Sequence, residues 1–285
     1  MRLIQWRQGI RMSELTPHLI EPKDLEAMLL RENLIIVDLS HPVLYQQRHV
    51  PGAVHLISTA LMGNVPPAAG KHPSFKDIKA LMSNLGIDSS KHVVIYDDEG
   101  GGWAGRLAWT LDLIGLHNWS YLNGGIVAWI NEGHTTESTV NIPKSCCTDI
   151  GSTFANPSAS IHVDEIITRL DSSDFAVWDA RSPAEHSGEM VRAARSGHIP
   201  GAINLEWTEL MDQENNLRIR NNAQDILNNL GLSKDKTIAT HCQLHHRSAF
   251  TYMVARILGY EKIAGYDGSW AEWGNLDDTP IELGF

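Results

Sequence analysis

The chain repeats itself, and a repeat of domain size constrains the fold more tightly than composition does. The segment IIVDLS, ending at Ser40, answers FAVWDAR, ending at Arg181, and sets Asp38 against Asp179, 141 positions apart (179 − 38). His49-Val50-Pro51-Gly52-Ala53 answers His198-Ile199-Pro200-Gly201-Ala202 at 149 positions (198 − 49), so the second copy carries eight extra residues between these marks. VVIYDD then aligns with TIATHC and sets Asp98 against Cys242, an offset of 144 (242 − 98) that continues without a gap through Gly115/Gly259, Gly124/Gly268 and Trp129/Trp273. Identities in the last stretch are sparse. The order of the marks and the shared His-x-Pro-Gly-Ala establish two copies of one domain, and 285 residues accommodate two units of about 120–140 residues.

Each copy has the same texture. A helical segment (PKDLEAMLL, HVDEIITRL) precedes a short β-rich run ending in Asp, a turn rich in Pro and Gly, and a further helix. A second β run (VVIY, TIAT) leads into an amphipathic helix. In the second copy Ala249, Phe250, Met253, Val254, Ile257 and Leu258 recur at helical spacing, and Gly259 follows as a C-terminal cap. A third run, at Tyr121-Leu122 and Ile263-Ala264, enters a Gly-rich turn. Strands alternating with helices imply an α/β fold in which each copy is a mostly parallel sheet flanked by helices. The divisions expected are a flexible extension over 1–15, a first domain over 16–136, a polar linker over 137–160 and a second domain over 161–285.

A formal net charge of −11 argues against a general nucleic-acid binder, although a local pocket can still be positive. Three cysteines form no disulfide framework, and Cys146 and Cys147 are expected as linker thiols without a role. With no signal peptide and no apolar run of membrane-spanning length, a cytoplasmic protein without membrane association is expected.

The segment Cys242-Gln243-Leu244-His245-His246-Arg247-Ser248 carries the chemistry. It lies between a β run and a helix, at the edge of a parallel sheet where ligands bind. Free N–H groups and the helix dipole there stabilise a thiolate, and Arg247, His245 and His246 are expected to add positive field. Most lone cysteines are small buried hydrophobes, but Gln, His, His and Arg are poor company for a core position. Cys242 is therefore the expected nucleophile, with residues 243–248 as an anion cradle. No metal is expected, since only His241 stands near the two loop histidines. Asp179 and Arg181 are expected mainly as frame residues that pair with each other's charge type. Trp270 and Trp273 are expected to pack a turn, with Trp270 also able to wall the pocket. In the first copy Asp98 and Glu99 stand where the cysteine loop would be, and two acids there would repel an anion. The run Glu99-Gly100-Gly101-Gly102 lacks the Lys-Ser/Thr of a phosphate loop.

Asp179-Ala180-Arg181, Gly197-His198-Ile199-Pro200-Gly201-Ala202, the Cys242 loop and Gly268-Ser269-Trp270-Ala271-Glu272-Trp273-Gly274 together resemble the tandem-domain rhodanese family over about residues 18–280. The loop Cys-Gln-x-His-His-Arg-Ser resembles that of a bacterial thiosulfate sulfurtransferase subgroup. The resemblance implies a silent first domain and a ping-pong transfer of sulfane sulfur. An anionic donor, thiosulfate before 3-mercaptopyruvate, would charge Cys242 as a persulfide, and a thiol, dithiol or cyanide would accept the sulfur. That covalent intermediate would need no cofactor. Two departures bear on the donor: Gln243-Leu244 stand where thiosulfate-specific animal rhodaneses have Arg-Lys, and an arginine used by some members falls on Glu185. Two other readings stand beside this one. One is a persulfide carrier for a dedicated partner. The other is a phosphatase, disfavoured because Cys242 and Arg247 are spaced Cys-x4-Arg and not Cys-x5-Arg.

Overall fold

A computed structural model describes residues 18–285, so the expected extension over 1–15 lies outside the described residues. Runs such as His92–Tyr96 and Phe175–Asp179 are buried at every position, the mark of central strands covered on both faces. The first copy contains β1 (Leu19–Ile20), β2 (Leu34–Asp38), β3 (Val54–His55), β4 (His92–Tyr96) and β5 (Trp119–Leu122). They form one parallel sheet in the order β1-β5-β4-β2-β3. The second copy contains β6 (Phe175–Asp179) and β7 (Ile203–Asn204), a hairpin of β8 (Met211–Asp212) and β9 (Arg218–Ile219), then β10 (Thr237–His241) and β11 (Ile263–Gly265). Its sheet runs β11-β10-β6-β7, again parallel. The counterpart of β1 is reduced to a parallel bridge between Ser160 and Gly265. The repeat seen in the sequence is thus a repeat of topology.

The two copies share a core. The helix Gly102–Leu113 is buried on nearly every side, which places it between layers and not at a surface. It lies against Arg247–Ile257, its counterpart in the second copy, and Leu107 and Trp109 join Phe250, Met253 and Trp178 in one apolar cluster. Gly105 permits the close crossing, because a Cβ there would stand 2.5 Å from the carbonyl oxygen of Ala249. The stretch between the copies is irregular but pinned to the first one. Glu137 bridges His49, Cys146 N–H donates to the Ser83 carbonyl, and Lys79 reaches the carbonyls of Ile150 and Gly151. Cys146 and Cys147 are unpaired thiols, partly and fully exposed. Among the described residues no helix is long and apolar enough to cross a membrane.

Candidate active site

Parallel pairing sets Thr240 beside Trp178 and His241 beside Asp179, so Cys242 emerges at the carboxyl edge of β10, between β6 and β11. Residues 242–246 form the loop, and the helix begins at Arg247. A second helix, Ser269–Trp273, backs the loop: Trp270 N–H donates to the Cys242 carbonyl (2.9 Å) and Ala271 N–H to that of Gln243 (3.1 Å). In a planar trans peptide the C=O and the following N–H point opposite ways, so these bonds turn the N–H groups of Gln243 and Leu244 away from that helix. Among the described residues, no protein acceptor takes the N–H groups of Gln243, Leu244, His245 or His246. His245 has φ +55°, and His246 after it is right-handed, an alternation that gathers successive N–H groups into an anion-binding concavity.

Cys242 is buried at the floor of this loop. Burial opposes ionisation of the thiol, but the Arg247 charge, hydrogen bonds from the Ser248 hydroxyl and N–H, and the nearby His246 outweigh it and bring the thiol down to about 7. Arg247 is clasped bidentately by Glu185, at 2.6 and 2.9 Å. Glu185 is itself fixed by a capping box with Ser182 at the start of the helix Pro183–Ser187. Burial would raise the Glu185 carboxyl, yet the Arg247 contacts hold it below its ordinary value. The eight-residue insertion of the second copy reaches the loop too, where Gln243 Nε2 donates to the Arg192 carbonyl at 3.0 Å.

The two histidines divide. The sequence reading made both contributors of positive charge, and the structure corrects this for His245. That ring is fully buried against the edge of Trp109 (4.6 Å), with Nδ1 bonded to the Ser248 hydroxyl (2.8 Å). Burial, with Arg106 alongside, holds it well below the ordinary imidazole range and therefore neutral. His246 reaches across to the first copy, where its Nε2 hydrogen-bonds the Glu99 carboxylate and its ring packs on Trp103 (4.4 Å).

Asp179, Arg181 and Trp270 form one frame beneath the loop. Arg181 binds Asp179 at 2.5–3.1 Å, donates to the Gly197 carbonyl (2.9 Å), and lies over the Trp270 ring at 4.3 Å. Burial pushes against ionisation of Asp179, but His241, the Arg181 guanidinium and the hydrogen bond from His186 hold its carboxyl well below the usual range.

The first copy shows why an equivalent cradle is not free there. Strand register sets Asp97, and not Asp98, in the place of Cys242, since Asp38 pairs with Tyr96 as Asp179 pairs with His241. Asp97 accepts from the N–H groups of Glu99 (3.2 Å), Gly101 (2.8 Å) and Ala104 (2.9 Å). Its carboxylate fills the loop from within, whereas Asp98 only caps the N–H of His41. The sequence offset of 144 set Asp98 against Cys242, and the structure corrects this to Asp97, because β4 and β10 match at an offset of 145 (241 − 96). The glycines of this loop serve close packing: a Cβ on Gly101 would meet Phe250 at 2.8 Å, and one on Gly102 would meet His246 at 2.3 Å. Sequence reasoning also missed Arg106, a fully buried guanidinium whose signal was a cation set among the Gly, Ala, Leu and Trp residues of a largely apolar helix.

A model of the rhodanese-like domain matches the chain twice, over residues 21–132 and 162–276. A thiosulfate sulfurtransferase of Pseudomonas aeruginosa is 46% identical over 267 residues, 94% of this chain and 97% of that one. A 3-mercaptopyruvate sulfurtransferase of Escherichia coli is 30% identical over 242 residues, 84% of each chain. The solved structure of an anaerobic ergothioneine biosynthesis enzyme from Chlorobium limicola superposes with a TM-score of 0.83 at 24% identity, over 96% of this chain and 72% of that one. At that identity the likeness is one of fold.

Proposed function

This chain belongs to the rhodanese-like family, and on that premise we propose that it is a thiosulfate sulfurtransferase working through a persulfide on Cys242. The observation that carries the reading is a thiol at about 7 beneath a loop whose N–H groups have no protein acceptor. At neutral pH about half of such a thiol is thiolate, the form that attacks sulfur. The thiolate attacks the outer sulfur of thiosulfate, the S–S bond of the donor breaks, and its electron pair leaves with sulfite. The negative charge now sits on the outer sulfur of the persulfide, where the loop N–H groups and the N-terminus of the helix Arg247–Ile257 stabilise it. An acceptor thiolate or cyanide then takes that sulfur and returns Cys242 as thiolate. Thiosulfate is favoured as donor by the 46% identity to a thiosulfate enzyme, against 30% to a mercaptopyruvate enzyme. Three unpaired thiols suit a reducing compartment such as the cytoplasm.

Intact-mass measurement after incubation with thiosulfate tests the reading. The protein gains one sulfur, loses it to cyanide, and gains none as Cys242→Ser. No gain from thiosulfate or mercaptopyruvate overturns it.

A further inference from the structure

We propose that the silent first copy is a working part of the catalytic site, with Arg106 as a positioning residue that holds the loop through the carbonyl of His245. The inference rests on the sulfurtransferase reading of Cys242 and extends it to the other domain.

Arg106 lies in the helix Gly102–Leu113, wholly buried, and among the described residues it has no carboxylate within ion-pair distance. Its donors go to three carbonyls: Leu61 (3.0 and 3.3 Å) and Gly70 (2.6 Å) in its own copy, and His245 (3.3 Å) in the catalytic loop. A buried guanidinium spent on three carbonyls is an expensive way to tie down a backbone, since neutral donors would serve packing alone. Here it has a chemical use. Burial lowers the Arg106 pKa to about 10, still protonated at neutral pH, and the charges that favour its cationic form are Asp267 and Cys242. A thiolate or persulfide on Cys242 is therefore a partner to this cation.

The geometry makes His245 the point of control. Two carbonyls of the loop are held by the helix Ser269–Trp273 of the same copy, but that of His245 is held by Arg106 of the other. The trans peptide then turns the His246 N–H away from Arg106, which leaves it free for an anion. His245 also keeps a left-handed backbone (φ +55°) that a side chain disfavours, and such a conformation persists only where the surroundings over-determine it. Of the groups that do so, Arg106 and Trp109 come from the silent copy and Ser248 from the first turn of the helix that follows the loop. Next to them Gly70 approaches the Leu244 backbone with no room for a Cβ (2.4 Å). The silent copy thus forms one wall of the mould in which the cradle is cast.

Arg106→Gln removes the charge, and Arg106→Lys keeps the charge but not the fork that spans three carbonyls. Arg218→Ala is the control, because it breaks ion pairs between the copies with Glu21 and Glu132 without touching the loop. The readouts are kcat and KM for thiosulfate with cyanide, and the pH dependence of Cys242 alkylation by iodoacetamide. Arg106→Gln is expected to lower kcat about tenfold and to raise the thiol pKa, with KM changed less. Arg106→Lys restores the thiol pKa but only part of kcat, and Arg218→Ala leaves both at wild type. A folded Arg106→Gln with wild-type kcat and thiol pKa overturns the proposal, as does an equal effect from Arg218→Ala. Should Arg106→Gln fail to fold, wild-type values of both quantities in Arg106→Lys overturn it alone. Wild-type protein that takes up no sulfur from thiosulfate would instead overturn the sulfurtransferase reading.

Discussion

Replacing the Arg247–Glu185 pair with an uncharged one, as Arg247→Met with Glu185→Gln, removes the largest influence that lowers the Cys242 thiol. The double change is needed because Arg247→Met alone leaves the buried Glu185 carboxylate without its cation, at a cost of about 3–5 kcal/mol. The thiol stands at about 7 against an ordinary 9.0, so complete loss of the effect takes the thiolate at pH 7 from half to about one part in a hundred. Each remaining thiolate is more nucleophilic, by about eightfold for a two-unit rise. A midpoint returned to 9.0 slows alkylation at pH 7 about sixfold, while the plateau at high pH rises above wild type. Burial still raises the thiol while Ser248 and His246 still lower it, so the midpoint settles above 7 where these opposed influences balance. The assay is the rate of iodoacetamide alkylation from pH 5 to 11, with sulfite release in a single turnover as its functional counterpart. A double variant whose alkylation midpoint stays at about 7 would refute the assignment of the field to Arg247.

Because the folded Cys242 thiol is depressed from 9.0 to about 7, it contributes stability above pH 9 that is lost as pH falls through 7. Urea titrations of wild type and Cys242→Ser from pH 6 to 9 should therefore diverge with rising pH, by about 2–3 kcal/mol at most, and parallel curves would contradict the shift. Gly105→Ala forces a methyl against the Ala249 carbonyl and should destabilise the chain by about 1–3 kcal/mol, read as a lower thermal midpoint; an unchanged midpoint would show that the helices are not in close contact there. Asp98→Cys should give no second persulfide, because Asp97 still occupies the N–H groups of that loop, and a mass gain of two sulfurs from thiosulfate would refute this account of the silent copy.

The repeat, the α/β texture and the place of Cys242 between a strand and a helix were all legible in the sequence. Each is written in local spacing: β runs, helical periodicity, and the paired His-x-Pro-Gly-Ala. The position of the polar loop at the carboxyl end of a central parallel strand was legible too. What the sequence left undecided is how distant residues meet across the two copies. Glu99 finds His246 147 residues away, and Arg106 finds the His245 carbonyl 139 away, with no local pattern to announce either contact. His245 and His246 are adjacent in sequence, yet one is buried and neutral while the other hydrogen-bonds a carboxylate of the first copy, because a left-handed turn sends their side chains to different surroundings. Likewise Asp97 and Asp98 are chemically identical, and only the backbone of the folded loop decides which carboxylate takes the N–H groups. Local spacing determined where along the chain the proposed thiolate site lies. The packing of one copy against the other decided which side chains hold it in shape, since burial and hydrogen-bond partners are properties of neighbours in space and not of neighbours in sequence.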